Sequence, residues 1–251
     1  MSTLASHVHA GRTASLRVLA TAWAVLATAV CALAMGQLRA TSVDGWVVLV
    51  SAVGVALATA IPILSQTTVD DDTAQVHVGV LVPAVFLLPW SALVLAVTAG
   101  VAGGWLLRRI PGLRSAPPAS RPTDVVSSVS RAALAAAAAG GVGELAPTSL
   151  ALQFVVAAAG ALTFLGAARL LVWVADVVVG ADDEAPPATF SRGLRPVEIQ
   201  VVAVAYGVVT AMVAAAYPAP ALWFALLMTL GTALAMGTSA IDTPRAPHAA
   251  L

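Results

Sequence analysis

The charged residues of this chain crowd into a few short islands, and between the islands lie long runs of alanine, valine and leucine. Hydrophobic residues make up 60% of the chain and charged residues 10%, with a mean hydropathy of +0.94. A soluble domain carries about 25% charged residues. The 251 residues would suffice for one or two soluble domains, but no stretch outside the apolar runs is long enough to build one. In lipid every backbone polar group must be satisfied within the chain, which leaves helices for runs of this length. The expected fold is therefore all-α, a polytopic transmembrane helix bundle.

Lysine is absent, and all 12 basic residues are arginine. That removes P-loops of the GxxxxGK type, Schiff-base chemistry and a lysine base. HExxH, GxSxG and paired-cysteine motifs are missing as well. Cys31 is the single cysteine and sits inside an apolar run, so it has no disulfide partner in the chain. No basic cluster is large enough to cover nucleic-acid phosphates. Neither a cofactor nor a metal site is expected. The arginine-only usage with abundant alanine, valine and glycine fits a GC-rich bacterial genome.

About eight hydrophobic segments follow one another. Residues 1–15 read as a flexible tail, and the first run extends from about Val18 to Met35. It is too long for a signal-peptide core, no A-x-A site follows it, and the residues before Cys31 fit a lipoprotein site poorly. The second run is Trp46 to Leu64. The stretch from Val76 to Leu107 would form a helix of about 48 Å, too long for about 30 Å of hydrocarbon. Pro89 removes a backbone donor and favours a break before it, which divides the stretch into 76–89 and 91–107, two short helices forming a hairpin. Segments five to eight are 123–143, 150–179, 197–216 and 219–236. The membrane domain is thus 16–236, followed by a tail at 237–251. The hairpin either crosses twice, giving eight spans, or re-enters, giving six spans plus a short hairpin.

The arginines orient these segments. With the N-terminus inside, the inner regions hold Arg12, Arg17, Arg108, Arg109, Arg114, Arg121, Arg192, Arg195 and Arg245, nine in all, and the outer loops hold only Arg39. That bias follows the positive-inside rule and puts both termini in the cytoplasm of an inner (plasma) membrane. Trp46, Trp90, Tyr217 and Trp223 then fall near the outer face, and Trp105 and Trp173 near the inner one.

Charge within a span is costly and turns toward protein or water. Segment five carries Asp124 and Arg131, and segment six carries Arg169 and Asp176. Each pair is seven residues apart and so shares one helical face. Because the helices run in opposite directions, both aspartates fall near the cytoplasmic boundary and both arginines about two turns deeper. These four residues are the candidate intramembrane polar network, either a pocket open to the cytoplasm or a set of headgroup-level aspartates with arginines snorkelling toward them. Arg169 and Trp173 are spaced for a cation–π contact, and Glu198 and Gln200 read as interface residues. Asp70, Asp71 and Asp72 with His77 have the composition of a loose cation patch, although a solvated loop is the simpler reading. His7 and His9 carry no assigned role. Gly100, Gly104 and the alanines of 132–139 permit close helix approach without specifying a dimer.

The segment VGVLVPAVFLLPWSALVLAVTAGVAGGWLLRR, the basic Pro-rich loop after it, the small-residue helix and the antiparallel helix that follows resemble, as a layout, the N-terminal membrane region of bacterial cyclic-dinucleotide signalling proteins. Such regions precede GGDEF or HD-GYP domains. The likeness covers roughly 60% of the chain, from residue 76 onward. Two features depart from it: Asp124-Val125 stands where an aromatic-Asn pair often opens the fifth segment, and no catalytic domain follows. The resemblance implies a sensor-like or scaffold module without intrinsic catalysis, not an enzyme, that works through a cytoplasmic or membrane protein partner. A small transporter or substrate-binding membrane subunit, with a polar pocket between segments five and six, is the alternative. The lipid bilayer is the one partner implied directly by composition, and the oligomeric state stays open.

Overall fold

The computed structural model describes residues 2–60, 72–107, 122–145, 149–179 and 197–216. Seven α-helices and no strand occur among these residues: α1 (Ser2–Leu38), α2 (Gly45–Ala60), α3 (Asp72–Leu87), α4 (Trp90–Leu107), α5 (Pro122–Gly143), α6 (Leu150–Val179) and α7 (Val197–Ala216). The expected eighth segment at 219–236, the C-terminal tail and the arginine-bearing loops at 108–121 and 180–196 lie outside the described residues.

Local chemistry sets most of the helix ends. The Asp44 carboxylate accepts a bond from the Trp46 backbone N–H at 3.0 Å, and the Asp44 carbonyl accepts from Val47 and Val48. That is an N-cap, and it starts α2. Pro122 occupies the first position of α5, where its missing N–H costs nothing. The chain breaks between α3 and α4 at Leu88-Pro89, the place where proline disfavours helical backbone. Pro83, by contrast, sits inside α3 without ending it. Its neighbours Leu81, Val82, Ala84 and Val85 are all buried, and packing holds the helix through the lost hydrogen bond.

α1 departs from expectation. Its helix begins at Ser2 and continues through the polar residues read as a tail. No proline interrupts residues 2–38, and the leucines, alanines and arginines of the polar portion are all good helix formers.

Among the described residues four helices are long and apolar enough to cross a membrane: Arg17–Leu38, Trp90–Leu107, Thr123–Gly143 and Leu150–Ala175. α2 and the Val204–Val213 part of α7 are shorter apolar helices. The described residues form an all-helical bundle of the membrane type. Its core is built on α2, α3 and α4, whose Val55, Leu81, Val82, Leu93, Val94 and Val97 are fully buried. Half of α4 is buried, against 17% of the α1 span. α1 and α6 instead turn Val25, Leu33, Val155 and Leu162 outward, as helices at a lipid boundary do.

The two arms of the expected hairpin make little contact with each other. α4 packs on α2, α5 and α1, while α3 packs on α7, α6 and α2. Small residues decide this. A Cβ at Gly100 would lie 2.6 Å from the Ala52 carbonyl oxygen and from Val55 Cβ, and one at Gly104 would lie 2.5 Å from Thr59 Cβ. α2 and α4 therefore approach as closely as backbones allow, and they run parallel, since contacts advance together along both helices. On α5, Ala133, Ala135, Ala136 and Ala139 are buried and give α4, α6 and α1 similar access. Phe86 of α3 stacks on Phe154 of α6, with ring centroids 4.8 Å apart.

Candidate functional site

The four charged residues expected inside the bundle lie on α5 and α6, which pack against each other. Gly160 sets their register: a Cβ there would stand 3.1 Å from the Ala139 carbonyl oxygen. Continued along two antiparallel helices, that register puts Arg131 level with Ala168, beside Arg169. It puts Asp124 level with Ala175, beside Asp176.

Asp124 is exposed in the first turn of α5, where a carboxylate suits the positive end of the helix, and Thr123 donates to its Oδ1 at 3.5 Å. Arg131 is half-buried, about 10 Å farther along the helix. Its Nε donates to the Ser127 carbonyl at 3.4 Å, and its guanidinium carbon lies 5.8 Å from the ring centroid of Trp23 on α1. Arg169 is half-buried and Trp173 is 42% exposed. The side chains of Asp176, Glu198, Gln200, His77, His7 and His9 lie outside the described residues, as do Asp70 and Asp71. Asp72 begins α3, and among the described residues no group of three metal-ligating side chains comes together.

The described contacts thus tie Arg131 to α1. Trp23 is 6% exposed, and its π-face offers a guanidinium a partner that needs no counter-charge. Trp23 is absent from the expected network, although one signal for it exists. Of the six tryptophans it alone falls at neither membrane interface in the sequence reading, and an indole so placed needs a partner inside the bundle.

The opposite end of the bundle holds a second arrangement. The loop from α1 to α2 and the turn from α3 to α4 enclose an open cavity of about 490 Å³. Thr41, Ser42 and Asp44 give it polar walls, and Val43, Val47, Leu87 and Pro89 give it apolar ones. Beside it, Trp90 Nε1 donates to the Ala137 carbonyl at 2.9 Å, joining the start of α4 to α5. Gly140 makes room for that indole, because a Cβ there would come within 2.9 Å of Trp90 Cδ1. One turn below Val47 on α2, Ser51 is buried, and its Oγ finds no hydrogen-bond partner among the described residues.

No family model, curated protein or solved structure matches this chain. What it can do chemically rests on two features, a cation held against an indole within the bundle and an open cavity at one end.

Proposed function

We propose that this protein is a sensor-like or scaffold module of a bacterial inner membrane, with no catalysis of its own, acting through a partner protein on the cytoplasmic side. In this reading eight segments cross the membrane, residues 219–236 form the last, and both termini face the cytoplasm. The arginine asymmetry supports that orientation. The observation that carries the functional reading is the position of α4. Its first residue adjoins the cavity, its body is the most buried of the four long apolar helices, and its last residue, Leu107, leads straight into Arg108-Arg109. A helix so placed connects an event at one membrane face to the basic loop at the other. The layout resembling membrane regions of cyclic-dinucleotide signalling proteins points the same way.

The test is affinity purification from native membranes followed by mass spectrometry. Enrichment of a cytoplasmic signalling enzyme is expected. Hydrolysis of a nucleotide or lipid by the purified chain, or the absence of any enriched partner, would overturn the reading.

One observation favours the transport alternative: Arg131 is a half-buried cation midway along a span. On that reading Arg131→Ala and Arg169→Ala abolish solute uptake while folded protein persists.

A further inference from the structure

We propose that the cavity between the α1–α2 loop and the α3–α4 turn binds a small organic ammonium group. Its volume of about 490 Å³ is that of a small-molecule site. The sign of its charge follows from the helix ends around it. α1 and α3 finish there at Leu38 and Leu87, and α2 and α4 begin there at Gly45 and Trp90. Two negative carbonyl ends thus face two positive amide ends, and their partial charges offset one another. What remains is the Asp44 carboxylate, the one charged side chain among the described residues of the wall.

Asp44 commits only part of itself to the fold. Its Oδ1 caps α2 through the Trp46 N–H, and its Oδ2 takes no hydrogen bond from the described residues. Thr41 turns its hydroxyl proton to the Leu38 carbonyl at 3.3 Å, so its oxygen presents lone pairs rather than a donor. On the polar side of the cavity the Asp44 carboxylate and the Thr41 oxygen accept, while the Ser42 hydroxyl can accept or donate, so the carboxylate sets the preferred charge. Facing it, Val47, Leu87 and Pro89 supply apolar contact for carbon attached to the nitrogen. A carboxylate and hydroxyl oxygen on one wall with hydrocarbon on the other is complementary to an alkylated ammonium and repels a carboxylate or phosphate.

The same chemistry is offered by a free amine and by the headgroup of a zwitterionic lipid. That this site is the input of the module rests on the function proposed above, whereas the binding does not. A failed titration leaves the partner experiment standing, and the reverse also holds.

The test uses the full chain in nanodiscs of phosphatidylglycerol alone, with choline as probe, acetate as anionic counter-probe and saturation-transfer NMR as readout. Choline is expected to bind and acetate not. Asp44→Asn keeps the cap, because asparagine caps as well as aspartate. It should weaken choline at least about tenfold, the factor carried by one charge-assisted contact. Leu87→Trp, which fills the cavity from α3, should remove binding with the far-UV spectrum unchanged. Repeating the titration in phosphatidylcholine nanodiscs separates the sources: loss of the choline signal there assigns the site to a lipid headgroup, and its persistence assigns it to a free amine. Absence of choline binding in phosphatidylglycerol, equal binding of acetate, or unchanged affinity in Asp44→Asn would overturn the proposal.

Discussion

The guanidinium of Arg131 lies over the ring of Trp23 at 5.8 Å, so a charged residue of α5 is held by an aromatic residue of α1. Such a contact stabilises a cation within a bundle, and it docks the least buried of the long apolar helices onto the core.

Replacing Trp23 with alanine should therefore undock α1 as well as empty a buried site. A loss of about 3–5 kcal/mol is expected for a buried Trp→Ala change. Trp23→Phe keeps a ring beneath the cation and should cost far less. Thermal unfolding midpoints in detergent would order the two, and equal midpoints would contradict the contact.

Trp90→Phe removes the bond from Nε1 to the Ala137 carbonyl while leaving most of the ring in place. Ala137 sits in the interior of α5, where its carbonyl keeps a helical partner, so no buried acceptor is stranded. The cost should be about 0.5–1.5 kcal/mol, read from the same unfolding curves.

Adjacent glycines give an internal comparison. A Cβ at Gly140 meets Trp90 Cδ1 at 2.9 Å and Leu93 Cδ2 at 3.3 Å, whereas at Gly141 nothing lies within 4 Å. Gly140→Ala should destabilise by about 1–3 kcal/mol through overpacking. Gly141→Ala should be neutral or stabilise by up to about 1 kcal/mol through helix propensity. Opposite signs at neighbouring positions would be hard to produce by any cause other than the packing of α5 on α4.

Gly100→Ala should be more damaging than Gly140→Ala. The clash there is with the Ala52 carbonyl oxygen, a backbone atom that cannot rotate aside, and with Val55 Cβ. α2 must move as a body. Cross-linking of cysteines placed at Ala56 and Gly103, on a Cys31→Ser background, should succeed in the parent and fail in Gly100→Ala.

Orientation is tested by labelling. With Cys31 replaced by serine, Ser42→Cys should react with a membrane-impermeant maleimide in intact spheroplasts, and Ser115→Cys only after permeabilisation. The reverse pattern would invert the topology inferred from the arginines.

Cys31 itself illustrates what pairing inside the bundle looks like. Thr98 donates its only hydroxyl proton to the Val94 carbonyl at 2.7 Å, so the Cys31 thiol, 3.8 Å away, is left as the donor of the weak contact between them. From the sequence alone Cys31 reads as one more small apolar residue, which is how free cysteine packs.

Much of the helical layout is legible in the residues themselves because its causes are local. The break at Pro89 and the helical runs over 123–143 and 197–216 each depend on backbone chemistry and composition within a few residues. The seven-residue spacing of Asp124 and Arg131, and of Arg169 and Asp176, is equally local, and it places each pair on one face.

Which faces meet is a different matter. In a water-soluble bundle the polar side of each helix points outward and reveals the buried side, but helices that are apolar all round carry no such mark. Hence Gly100 and Gly104 read equally well as a dimer seam or as an internal contact, and only the assembled bundle sets them against Ala52, Val55 and Thr59 of α2. The choice of Trp23 as the seat for Arg131, and the closing of the α1–α2 loop over Leu87 and Pro89, are likewise decided by tertiary packing. Composition determined that this chain is helical and apolar enough for lipid. Where van der Waals fit between small residues is the main force, the arrangement of the helices is settled only once all of them are in place.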